Sequence, residues 1–89
     1  MVDAEKLSGI FKLLSVEARI IIMRALKKRG MCVTELASKL GITHSATSQH
    51  LRLLRDARLV TFQKKGFHVY YQLDEQNIER IGKAVSELF

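Results

Sequence analysis

Apolar residues recur along this chain with two periods, and the switch between them divides it into a helical part and a strand part. Leu7, Ile10, Phe11 and Leu14 at i, i+3, i+4, i+7 predict a helix over residues 4–15. Ala18, Ile21, Ile22 and Ala25, widened by Ile20, Met23 and Leu26, predict a second over 16–28, buried on most sides, with Ser15 as its cap and Gly30 at its end. Residues 31–33 read as an extended link or minimal strand. A third helix runs from Thr34, as cap, to Leu40, with Leu36, Ala37 and Leu40 on its apolar side, and Gly41 closes it. Thr43 caps a fourth, whose inward stripe is Thr47, Leu51 and Leu54. After Ala57 the period drops to two. Residues 59–64 and 67–73 are rich in β-branched and aromatic types, and Lys65-Gly66 between them predicts a hairpin. Asp74 caps a last helix over 74–89 with Ile78, Ile81, Val85 and Leu88 in a stripe. The expected class is mainly α with a small β-hairpin (α+β), in the order ααααββα, as a single domain over 1–89.

Chemistry concentrates on the fourth helix. Opposite its apolar stripe lie His44, Ser45, Ser48, Gln49 and Arg52, groups able to donate or accept hydrogen bonds, with no carboxylate before Asp56. An ordinary solvated helix usually carries Glu–Lys pairs; this inventory suits the base edges of a DNA major groove. Helix, glycine turn and helix over 34–57 form a helix-turn-helix plan, and a hairpin over 59–73 directly after it forms a wing, with Lys64 and Lys65 at its tip.

Charge strengthens that picture. The net charge is +6, but residues 18–65 hold eleven Lys or Arg against two acids, while 1–17 balance to −1 and 66–89 to −2. A basic centre fits a polyanion, because neutralised phosphates release counterions. The run Lys27, Lys28, Arg29 has two readings, phosphate contact or complement to the negative end of its own helix. No apolar run is long enough for a membrane span or a signal peptide, so a soluble, cytoplasmic protein without membrane contact is expected. One cysteine excludes an internal disulfide. No nucleophile–base grouping and no glycine-rich phosphate loop suggests an enzyme. The amphipathic helices 4–15 and 74–89 either fold back on their own subunit or pair with their copies in a two-fold dimer; the second is preferred, since two recognition helices about 34 Å apart match one turn of DNA.

Three segments, LLSVEARIIIMRAL, MCVTELASKLGITHSATSQHLRLLRDARLV and KKGFHVYYQL, resemble the winged helix-turn-helix repressors of the ArsR/SmtB type. The resemblance implies a homodimeric transcriptional repressor that leaves an inverted-repeat operator when an inducer binds. It places DNA contacts at Ser45, Ser48, Gln49, Arg52 and His44, with Lys64 and Lys65 on the wing. Many such proteins bind soft metals through Cys-x-Cys at the third helix. The matching residues here are Cys32 and Thr34. A second site of the family uses Asp, His, His and Glu on the last helix, paired across the dimer; that helix here has Glu75 and Asn77 near its start and no histidine. Neither metal site is expected, and no cofactor. His44 and His50 face different directions on one helix, and His68 reads as a strand residue. Cys32 is a small core residue, a redox or electrophile sensor, or, last, a metal ligand. The rival functions are a protein-interaction module on the same fold and an architectural DNA binder of little sequence preference.

Overall fold

A computed structural model describes residues 2–89, so Met1, the first residue of the expected domain, lies outside the described residues. The helices are α1 (Ala4–Leu14), α2 (Glu17–Lys28), α3 (Val33–Leu40), α4 (His44–Asp56) and α5 (Glu75–Ser86). Strands β1 (Val60–Lys65) and β2 (His68–Leu73) fall between α4 and α5. The order is the expected one.

The centre of the core is built by α2, α3, α4 and the step into β1: Ile22, Leu36, Leu51, Leu54, Leu59 and Val60 are fully buried. Thr47 is the one buried polar residue among those described, and its Oγ1 donates to the Thr43 carbonyl at 2.9 Å. The terminal helices contribute as well. Leu7, Ile10 and Ile81 join the core cluster, so the middle of the chain does not fill the core alone. Conversely α2 is less enclosed than its apolar surface suggests, since Ile20 is exposed.

Several helix ends differ from the sequence reading. Ser15 does not cap α2; it closes α1, and its hydroxyl donates to the Lys12 carbonyl at 2.7 Å. Val16 precedes α2 with no side-chain cap, and extended Arg29, ahead of Gly30, ends that helix. Cys32 rather than Thr34 is the N-cap of α3, and Thr34 lies inside it. The Cys32 N–H donates to Glu35 Oε1 at 3.3 Å, so the carboxylate three residues on satisfies the backbone of the cap residue itself, the reciprocal half of a capping box.

β1 and β2 pair antiparallel from Val60↔Leu73 to Lys65↔His68. That register moves the turn one residue on: Gly66 and Phe67 form a two-residue loop, and Gly66 takes the required positive φ of 63°. The base of the hairpin is held by Met31, whose N–H donates to the Tyr71 carbonyl at 3.0 Å and whose carbonyl accepts from the Tyr71 N–H at 2.8 Å.

One polar link crosses the core edge. Arg19 Nε donates to His50 Nδ1 at 3.1 Å, and Arg19 Nη1 donates to the Leu13 carbonyl at the end of α1 at 3.1 Å. Burial, and secondarily the Arg19 charge, hold the His50 pKa below the ordinary histidine value. The folded state therefore favours neutral imidazole. This contribution to stability is whole above about pH 6.5 and is lost as pH falls from there through the lower folded value. In thermal melts at about pH 7.5 and about pH 5.5, His50→Gln, which keeps an acceptor that does not titrate, should lose less midpoint than the parent chain. Equal losses would remove His50 from the pH response.

Candidate nucleic-acid interface

The turn before α4 is built from two local devices. Gly41 ends α3 in the left-handed region at φ 67°, and its N–H donates to the Ala37 carbonyl at 2.9 Å. Thr43 then caps α4, its Oγ1 accepting from the Ala46 N–H at 3.0 Å. With both ends set, the rotation of α4 follows from burial. Thr47, Leu51 and Leu54 face inward and are wholly enclosed. His44, Ser45, Gln49 and Arg52 are exposed on the other side, and Ser48 is half-buried between the faces. The five residues singled out on this helix therefore lie on or at the border of one open face that carries no acid before Asp56.

Lys64 and Lys65 are exposed on the hairpin, and Lys65 Nζ lies 6.0 Å from the centre of the Tyr70 ring. They stand at the end of β1, with Gly66 and Phe67 beyond them as the true tip. The wing is tied to α4 by Arg55, whose guanidinium sits 5.1 Å from the Phe62 ring centre. His44 and the wing tip share a groove of about 330 Å³ lined also by Val33, Thr34, Phe67 and His68. The start of α4 and the end of the wing are thus neighbours, which the sequence order alone does not require.

Phe67 was missed by residue-type reasoning. Its ring is fully exposed at the tip, beside two lysines. An aromatic directly after the glycine of a two-residue turn is the signal that points to it, once the register is known.

The basic run of α2 lies elsewhere. Lys27, Lys28 and Arg29 line a groove with Thr61, Gln72 and Glu75 at the base of the hairpin, not its tip. Arg29 Nη2 pairs with Glu35 Oε2 at 2.6 Å. That bond is the main cause of a Glu35 pKa below, and an Arg29 pKa above, the ordinary values. This placement favours the helix-end reading of the run.

The donors that a metal would need are engaged otherwise. Cys32 is half-buried at the start of α3, not in the core, with Sγ 3.6 Å from Glu35 Oε1. Asn77 Nδ2 donates to the Arg58 carbonyl at 2.6 Å. His50 accepts from Arg19. Among the described residues, no three His, Cys, Asp or Glu side chains gather as a ligand set. The residues present do not fit either metal site implied by the resemblance.

The family model described as bacterial regulatory protein, arsR family, matches residues 17–61, from the start of α2 into β1. A protein of Synechocystis sp. described as a transcriptional repressor SmtB homolog is 32% identical over 85 residues, which are 96% of this chain and 64% of that protein. The chain thus spans just under two thirds of that relative. Reduced HlyU from Vibrio cholerae is similar with a TM-score of 0.78 and 30% identity, over 97% of this chain and 90% of that one. NolR from Sinorhizobium fredii matches with a TM-score of 0.78 and 34% identity, over 97% of this chain and 86% of its own.

Proposed function

This chain belongs to the arsR family of bacterial regulatory proteins, and from that premise we propose that it binds an inverted-repeat DNA operator as a homodimer and represses transcription until an inducer releases it. Its class is that of winged helix-turn-helix transcriptional regulators, not of enzymes. The open face of α4 carries the reading: small hydroxyls, an amide and a cation, with no carboxylate before Asp56 at its far end, beside a wing with two exposed lysines. Ser45, Ser48 and Gln49 are short enough for α4 to approach the groove floor, where an amide can pair in two places with adenine. Arg52, with His44 at the other end of the helix, flanks them. In this reading Lys64 and Lys65 meet phosphates, and the Phe67 ring meets the sugar or base face of the adjacent minor groove.

The test is selection of bound sequences from a random duplex pool, which would yield two related half-sites. Gln49→Ala should then cost about 1–3 kcal/mol at one base position. Removing Lys65 should weaken every sequence alike and lower the salt slope by about one. A uniform loss from Gln49→Ala would favour an architectural binder. Affinity for duplex DNA that stays flat across salt would favour an interaction module, against which the basic centre of the chain speaks.

A further inference from the structure

The hairpin holds four Phe or Tyr rings, and three of them have neighbours. Phe62 lies 5.9 Å from Tyr71, and the Tyr70 ring centre is 6.0 Å from the His68 ring and 6.0 Å from Lys65 Nζ. Phe67 is the fourth. Among the described residues it has no ring or cation partner, and it is wholly exposed. The turn does not ask for an aromatic there. Gly66 alone takes the left-handed conformation, and Phe67, at a negative φ, fills a position that a small polar residue fills as well.

A single exposed apolar residue is ordinary on a surface; the surroundings of this one point to a partner. Between Ala57 and Leu73 there is no carboxylate, while Arg58, Lys64 and Lys65 are cations. The ring also shares a groove with His44 of the α4 face. An apolar plate on a basic arm, beside the groove-reading helix, fits a polyanion that carries flat apolar faces of its own, which is stacked DNA. The terminal helices lie toward the other end of the arm. α5 starts at the base of the hairpin, and α1 meets it in a cleft beside Arg58 there. The tip is about 20 Å away along β2. A two-fold contact through α1 and α5 is thus set at the opposite end of the wing from Phe67.

The dimensions of DNA then limit what the tip can do. The minor groove is about 6 Å wide, too narrow for a two-stranded ribbon about 10 Å thick. What enters is a side chain at the turn. A phenyl ring has no group with which to address the acceptors on the groove floor. Its gain there comes from stacking on a base, which requires a base step to open.

We propose that Phe67 inserts as a wedge between two base pairs in the minor groove beside the α4 site, kinks the duplex, and so selects a flexible pyrimidine–purine step that no hydrogen-bonding group of the protein reads. This rests on the DNA-binding function proposed above. The test takes the tightest-bound duplex from a random pool and places the fluorescent base 2-aminopurine at each flanking step in turn. One step should brighten on binding, and dyes at the two duplex ends should report a bend of about 20–90°. Phe67→Ala should lose both signals and bind about tenfold more weakly. It should keep its melting midpoint, since the ring lies outside the core cluster, and its salt slope, since it neutralises no phosphate. Phe67→Leu, still an apolar wedge, should keep most of the bend. Replacing the opened step by a stiffer one should weaken the parent chain and leave Phe67→Ala unaffected. A bend that survives in Phe67→Ala overturns the wedge. So does capture of the parent chain, but not of Phe67→Ala, by phosphatidylglycerol vesicles while the duplex stays straight, which would assign the ring to a membrane surface. A parent chain that binds no duplex strikes the DNA reading and the wedge together. One that binds a straight duplex, with the probe silent at every step, strikes the wedge alone.

Discussion

Phe11→Asp is expected to separate the two protomers and weaken operator binding by about 10²–10⁴-fold, the gain that linking two half-site contacts supplies. Phe11 is 46% exposed in a helix that already buries Leu7 and Ile10, so its ring is surplus to the subunit's own core. Ile20 at 39% and Leu88 at 57% exposure add apolar surface on α2 and beyond the end of α5. Phe11 on α1, with Leu88 just past α5, suits a two-fold contact in which each surface meets itself. Every substitution then acts twice, and each places a carboxylate where an apolar ring would be desolvated. Sedimentation should show a monomer with unchanged helix content, and the monomer should keep the half-site base preference. A variant that still sediments as a dimer would move the contact away from α1.

Leu51→Ala is expected to cost about 2–5 kcal/mol of folding stability, through lost burial and the cavity left behind. Leu51 has no exposed surface, and α4 packs there against α2, α3 and β1. A chain of 89 residues has a total stability of roughly 4–13 kcal/mol, so this one change removes a large share of it. Urea unfolding should show a lower midpoint with an unchanged slope. Ser45→Ala, on the opposite side of the same helix, should change stability by less than about 0.5 kcal/mol. A loss below about 1 kcal/mol for Leu51 would mean that α4 is rotated relative to the core, and the outward face with it.

That rotation could be read from the chain, because Thr47, Leu51 and Leu54 repeat at helical spacing and their burial leaves the opposite residues no other place. The hairpin was equally legible from the alternation after Ala57. What escaped were the contacts between elements far apart in sequence. Arg19 meets His50, and Met31 pairs with Tyr71, across separations that no local pattern records. Helix ends were misplaced for a related reason. Thr34 and Ser15 have cap chemistry, but the chain enters α3 at Cys32 and leaves α1 at Ser15, so hydroxyls lie one or two residues away from the work assigned to them. The turn slipped by one residue because Lys65-Gly66 and Gly66-Phe67 both satisfy the glycine requirement, and only the strand register separates them.

The paired bonds between Met31 and Tyr71 act as a weld partway along the two-stranded arm. Inboard of it, bending would tear main-chain contacts to the link before α3; outboard, from Gln63 to Tyr70, the main-chain hydrogen bonds of the arm run only between its own two strands. The distal part is therefore an exchangeable cartridge. Longer or differently charged arms could be grafted past that point, retuning grip on the duplex flank while the body keeps its shape.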